Sequence, residues 1–252
     1  MFEERWNWRA DVPEPLPPRE NSGEGVPLLA AVPARPADSV IRAAVGRAMK
    51  EMGRQFVLGQ SIGDALDRAR GREAKGFTYS YDMLGEAART AADAARYLEA
   101  YHKAIEAIGR ASGGKGPIAA NGISIKLSAL VSHFRPADAA GTAEAVKARL
   151  RPLLRKAREQ HAYVHVDMEQ YSYKNLTLDI FKQTLMEDEF REMRDVGIVI
   201  QAYLADSERD LAGLLEWSRK RGTPVWVRLV KGAYWDYETV VSTSRNWPVP
   251  VF

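Results

Sequence analysis

The chain of 252 residues has no cysteine. That excludes disulfides, thiolate metal sites and thiol nucleophiles together. An excess of one charge is also missing. Thirty-six lysines and arginines face 33 aspartates and glutamates, interspersed, for a net charge of +3. This leaves no basic footprint for nucleic acid. No apolar run approaches the roughly 20 residues that cross a bilayer. The charged opening MFEERWNWRAD lacks a secretory core. A soluble, cytoplasmic protein is the expectation. His133 and His165 lack partners at metal-ligand spacing, so no metal site is expected. What is present is a globular composition, 46% hydrophobic, enough for one large domain or two small ones.

Residues 1–37 are rich in proline, glycine and charge and predict an extended arm. A helical segment follows over 38–75. Its first helix carries Val40, Ala44, Val45, Ala48, Met49, Met52 and Phe56 on one face, with the methionines expected in the core. A second, shorter helix has Ser61 and Asp64 as a capping box and ends near Gly71. From residue 76 the pattern changes. FTYSYD alternates as a strand, Gly85 marks a turn, and Glu86 opens an alanine-rich helix toward Gly109. GISIKLSAL is a strand with Ile123, Ile125 and Leu127 facing opposite to Ser124, Lys126 and Ser128. A helix follows over about 143–160. HAYVHVDMEQ is a third strand, ending in Asp167 and Glu169, and Leu176, Ile180 and Leu185 place a helix after it. GIVIQAYL is a fourth strand. Ser207 and Asp210 suggest a capping box for the next helix, and Gly222 stands where a C-terminal cap belongs.

The fifth strand lies in Thr223 to Asp236, TPVWVRLVKGAYWD. Both of its alternating sets are mostly apolar, which predicts burial on both faces. Arg228 interrupts them. A guanidinium keeps its charge when buried and so needs an anion or an electron-rich ligand. Gly232 permits a close backbone approach, and Tyr234 and Trp235 add two flat faces.

Five strands alternating with helices argue an α/β fold with a parallel sheet. No GxGxxG follows any strand, which counts against a dinucleotide-binding Rossmann unit. In a (β/α)8 barrel, functional groups come from the C-terminal ends of several strands. Asp82, Lys126, Asp167, Gln201 and Arg228 stand at such ends, one per strand. About five βα units do not close a barrel, so the expectation is an incomplete one, over 76–252, preceded by the small helical segment.

VRLVKGAYWD, ISIKLSAL, FTYSYDMLGEAA and VIQAY together resemble the proline dehydrogenase domain of bifunctional proline utilization A proteins, from about Ser39 onward. The resemblance implies a distorted (β/α)8 barrel that binds FAD, oxidises L-proline to 1-pyrroline-5-carboxylate and passes electrons to a quinone, with peripheral membrane association. Residue by residue, it implies that Lys126 helps bind the proline carboxylate and that Asp167 and Arg228 act at the flavin. Met168, Gln201, Val230 and the Lys231–Gly232–Ala233 run would contact the cofactor. Trp235 would pack near the flavin ring and Tyr234 would line the substrate pocket. Glu86 would be a gate residue, and Asp82 a supporting neighbour. The arginine pair that binds the proline carboxylate in the family lies on a last helix with no counterpart in this sequence.

Plainer readings stand beside these. Lys126 is then a solvated lysine at a strand mouth, and Asp167 a structural partner of Arg228. Tyr234 and Trp235 are packing aromatics, and Glu86 is a helix N-terminal charge. Two other functions compete: a non-catalytic barrel fragment that associates through open sheet edges, and an open-sheet α/β enzyme that does not use flavin.

Overall fold

The computed structural model describes residues 5–7, 36–53, 56–84, 87–112 and 121–252, with the backbone alone for 5–7, 36–41, 43 and 50. In chain order the elements are β1 (Arg5–Asn7), α1 (Pro36–Gly53), α2 (Ile62–Glu73), β2 (Ser80–Leu84), α3 (Ala91–Ser112), β3 (Gly122–Ile125), α4 (Ala139–Glu159), β4 (Tyr163–Val166), α5 (Tyr171–Leu185), β5 (Val196–Gln201), α6 (Ser207–Arg221), β6 (Trp226–Val230) and α7 (Trp235–Ser244). The six strands form one parallel sheet in sequence order. Each neighbouring pair is parallel and needs a crossover, which the helices supply from β2 onward.

The two faces of the sheet differ in chemistry, as strand alternation requires. Tyr81, Ile123, Ile125, Val164, Val166, Ile198 and Ile200 are buried in one apolar cluster with Ile105 and Ile108 of α3, Leu150 and Leu154 of α4, and Ile180 and Phe181 of α5. The opposite set includes Asp82, Ser124, Lys126, His165, Asp167, Gln201 and Arg228. Arg228 Nη2 donates to Ser124 Oγ at 2.5 Å. These residues lie on β6 and β3, three strand spacings apart. In a flat sheet that is ~14 Å, more than the two side chains can bridge. The sheet is therefore rolled, with the polar set on its concave side, as in an incomplete barrel.

Several local expectations change. The expected arm supplies a sixth strand: β1 pairs with β2, Arg5 opposite Asp82. Strand β2 starts only at Ser80, and Phe77 is exposed. Helix α2 runs through Gly71 to Glu73, while Ser61 caps it as expected, accepting from Asp64 N–H at 3.1 Å. Gly85 and Glu86 lie outside the described residues, and α3 starts later, at Ala91. Its start is set by a reciprocal cap: Thr90 Oγ1 accepts from Asp93 N–H at 3.0 Å, and Asp93 Oδ2 accepts from Thr90 N–H at 2.9 Å. The Ser207–Asp210 box does not form. Ser207 is already helical, and Asp210 instead pairs with Lys174 of α5, which also holds Asp206 at 2.9 Å. A buried ammonium needs carboxylates more than a helix end needs a side-chain cap.

Strand β6 is not buried on both faces. Leu229 is 62% exposed, because β6 is the edge of the described sheet. Nor is the expected apolar stripe core: Val45, Met49 and Met52 of α1 are exposed, as is Phe56 beyond its end, and among the described residues the core begins at Leu58.

Helix α6 does end as expected. Gly222 sits at φ +81° and its N–H returns to Ser218 O at 3.1 Å. A Cβ there meets no atom within 4 Å, so backbone strain is the whole cost of a side chain. Gly222→Ala should lower the unfolding free energy by about 1 kcal/mol, and Gly222→Asn by less. Urea midpoints of the three proteins check this.

Candidate active site

The site starts from one lysine. Lys126 directly follows β3 and precedes a 3-10 turn at Leu127–Ala129. Its N–H donates to the hydroxyl of Tyr101 on α3 at 3.1 Å, which ties the strand end to the helix layer. Its Nζ lies 2.6 Å from Asp82 Oδ1 on β2 and 2.9 Å from Asp167 Oδ2 just past β4. The three residues come from three adjacent strands. The Asp167 N–H donates to Ile125 O at 2.9 Å, keeping β3 and β4 paired to their ends. The Lys126 side chain is 4% exposed and that of Asp82 is 0%.

Arg228 completes the constellation from β6. It holds Ser124 and lies close enough to Asp167 to act on its charge. Two carboxylates and two cations thus share the concave side, formally balanced. Burial pushes the Asp167 carboxyl up, but Lys126 and then Arg228 outweigh it, and the net shift is below the ordinary value of 3.8. Burial opposes the Lys126 charge, yet Asp167 and Asp82 more than offset it, so the ammonium is held above its ordinary range. His165 lies beside this group, its Nδ1 2.6 Å from Tyr163 Oη. Burial and the Arg228 charge drive its pKa down to about 3, so it is neutral at physiological pH.

A second tier lies beside the first. Ser128 donates its N–H to Glu169 Oε2 at 3.2 Å and its hydroxyl to Glu169 Oε1, and Gln201 Nε2 donates to Glu169 O at 2.9 Å. The chain from Ser128 through Glu169 to Gln201 joins the ends of β3, β4 and β5.

These strand ends open on a cleft of about 220 Å³. Lys126, Asp167, Met168, Gln201, Val230, Lys231, Gly232, Ala233 and Tyr234 line it. Asp82, bonded to Lys126, is not among the lining residues. Trp235 is placed differently: its indole N–H donates to Phe252 O at 2.9 Å, and it is 47% exposed. Gly232, at φ +123°, does permit a close approach, and the ring that uses it is Tyr203. A Cβ at 232 would stand 2.3 Å from that ring. Ser124, His165, Tyr163 and Glu169 were not among the expected site residues. Position was the one signal for three of them: Ser124 and His165 stand one step before the ends of β3 and β4, and Glu169 lies just past β4, whereas Tyr163 opens β4 and carried none. Among the described residues no cluster of three or more His, Asp or Glu side chains is placed to hold a metal ion, and no helix is long and apolar enough to cross a membrane.

The depressed Asp167 carboxyl has a pH consequence. Its folded pKa lies below its unfolded value, so the stability it contributes is present above about pH 4 and is lost as acid protonates it. Asp167→Asn should flatten the acid limb of a stability-versus-pH curve between about pH 5 and 3. An unchanged limb would mean that Asp167 is not held by Lys126 and Arg228.

Comparison with known proteins agrees with this geometry. The family model for proline dehydrogenase matches residues 65–252. The bifunctional protein PutA of Escherichia coli (strain K12) is 42% identical over 201 residues, covering 80% of this chain and 15% of that protein. Proline dehydrogenase 1 of Bacillus subtilis (strain 168) is 30% identical over 193 residues, covering 77% of this chain and 56% of that protein. Among solved structures, proline utilization A from Bdellovibrio bacteriovorus, inactivated by N-propargylglycine, superposes with a TM-score of 0.79 at 37% identity, over 85% of this chain and 24% of that one. The chain therefore spans under a quarter of the proline utilization A proteins it matches, and its rolled parallel sheet is an incomplete (β/α)8 barrel. The chain belongs to the proline dehydrogenase family.

Proposed function

We propose that this chain is part of an FAD-dependent proline dehydrogenase that oxidises L-proline to 1-pyrroline-5-carboxylate and passes the electrons to a quinone. The observation that carries the reading is Lys126 clamped between Asp82 and Asp167, with Arg228 facing Asp167 from β6, around one cleft.

The donor set fits a flavin ring. The cleft is smaller than the ~300–1,000 Å³ of a drug-sized site, so it suits one flat ring, with the rest of a dinucleotide outside it. Gln201 has spent one N–H on Glu169 O. Its Oε1 and second N–H remain to match a ring edge that both donates and accepts. Met168 and the backbone of Lys231–Ala233 would form the rest of the cradle. FAD, when bound, supplies the two-electron acceptor for the hydride of proline.

The residues of this chain would then divide the work. Arg228 is a fixed cation that cannot lose its proton, and it favours negative charge on a neighbouring ring. Lys126 has three N–H groups and gives two of them to Asp82 and Asp167. The third is left for the substrate carboxylate. Its charge is already matched twice over, so it orients that carboxylate more than it attracts it. Asp167 keeps both cations in place, and Tyr234 closes the pocket. Glu86 as a gate remains an expectation outside the described residues. Delivery to a membrane quinone would bring the protein to the bilayer surface from the cytoplasmic side.

One observation favours a second reading, in which the chain is an assembly piece. Leu229 and Trp226 of β6 and Val240 of α7 are exposed, and an open strand edge pairs readily with another chain.

Absorbance separates the two. Purified protein given FAD should show the oxidised flavin bands and lose them on addition of L-proline. Arg228→Met should weaken FAD binding and slow flavin reduction by roughly 10²–10³-fold. A colourless, self-associated protein by light scattering would support the second reading, and unaltered flavin reduction in Arg228→Met would remove Arg228 from the chemistry.

A further inference from the structure

We propose that Tyr203 is a positioning residue for the cleft wall: its ring, clamped in the turn after β5, backs the main chain at Gly232 and holds the Lys231–Ala233 run at the cleft. Only the consequence for a cofactor rests on the proposed function. The positioning itself is a matter of packing and hydrogen bonds.

Tyr203 is tied down by main chain on both sides. Its N–H donates to Lys231 O at 2.9 Å, just after Ala202 N–H donates to Val230 O at 2.8 Å. The β5–β6 pairing thus runs on past both strand ends. The Tyr203 carbonyl accepts from Phe252 N–H at 3.1 Å, and Ala205 N–H donates to Pro250 O at 2.8 Å. Between these two bonds Leu204 pairs antiparallel with Val251. Tyr203 is buried in a small cluster with Leu204 and Val251, separate from the main core. An aromatic side chain has only two torsions, so a backbone held on both sides leaves the ring little freedom.

Gly232 is the opposite case. It stands at φ +123°, which glycine adopts without a steric cost. The same lack of a side chain leaves its place to be set from outside, and the Tyr203 ring sets it. The point where a Cβ would stand is 2.3 Å from ring atoms Cδ1 and Cε1 and 2.7 Å from Cγ. The ring therefore rests directly against the Gly232 main chain. Its hydroxyl lies near the Tyr234 main chain, outside bonding geometry. Lys231, Gly232, Ala233 and Tyr234 line the cleft, and Tyr203 does not. The ring is a backing behind the turn and not part of the surface that a ligand meets. A smaller side chain at 203 would open space behind Gly232, and the turn would relax into it, away from the cleft.

The experiment measures 15N order parameters of Gly232 and Ala233 by NMR in the parent, Tyr203→Phe, Tyr203→Leu and Val251→Ala. In the parent and in Tyr203→Phe, which keeps the ring, both amides should be rigid, with order parameters of about 0.85. Tyr203→Leu should lower them below about 0.6. Val251→Ala thins the same cluster without removing the ring, and should lower the urea midpoint while both amides stay rigid. Should Tyr203→Leu not fold, Tyr203→Met takes its place, long enough to fill the cluster but without a flat face. FAD titrated into the same proteins should bind Tyr203→Leu roughly tenfold more weakly, the effect of one misplaced hydrogen bond, and Tyr203→Phe with the parental affinity. Rigid amides in Tyr203→Leu overturn the proposal, as does equal loosening in Val251→Ala or in Tyr203→Phe. Loosened amides with unchanged FAD affinity overturn the link to the cofactor. A parent chain that takes up no FAD refutes the flavin reading, and the order parameters still decide the role of Tyr203.

Discussion

The structure depends on a buried ammonium between two carboxylates. Lys126 bridges Asp82 and Asp167 at 2.6 and 2.9 Å, almost without contact with water. Burying three such charges costs several kcal/mol each before they interact. Only close contacts of this kind offset it, and they require that β2, β3 and β4 end level with one another. The pairing of Ser124 with Asp82 and of Ile125 with Val166 provides that level. The ion triad and the strand register are thus one constraint. A slip of one residue would turn Asp82 or Asp167 toward the helix layer.

The triad alone carries one net negative charge. Arg228 restores balance, and it can do so only because the sheet is rolled. Its bond to Ser124 spans three strands and is the most direct sign of barrel curvature in the molecule. The same curvature places Gln201 and the Lys231–Tyr234 run around the cleft. Catalytic potential and fold therefore share a cause: the polar faces of four or five strands meet only when the sheet bends.

Much of this could be read from the residues alone. Alternation at period 2 in β3 and β5, and apolar stripes at helical spacing in α3, α4 and α5, announce a βα repeat. A polar residue at the close of the apolar run marks the mouth at Lys126, Asp167 and Gln201, whereas Asp82 and Arg228, expected at strand ends, stand in the middle of β2 and β6. What could not be read depends on contacts between distant residues. The three-residue strand β1 lies in a segment whose composition speaks for a loop, and pairing with β2 decides it. Strand β6 carries core-like residues yet lies at the sheet edge, since composition does not tell a strand which side is covered. Asp210 fits a capping box by spacing, but Lys174, thirty-six residues earlier, claims it. Ser124 reads as a small polar residue on a solvent face, and only the rolled sheet brings Arg228 to it. Lys126 has the same history: its place was legible, its two partners were not.

The central claim is that Lys126 and its carboxylates act as one unit, and a double-mutant cycle measures that directly. Unfolding free energies would be taken for the parent, Lys126→Met, Asp82→Asn and the double variant at pH 7. The account predicts that each single change is strongly destabilising and that the double change costs far less than their sum, with a coupling above about 1.5 kcal/mol. Single effects that add to within about 0.5 kcal/mol would contradict it.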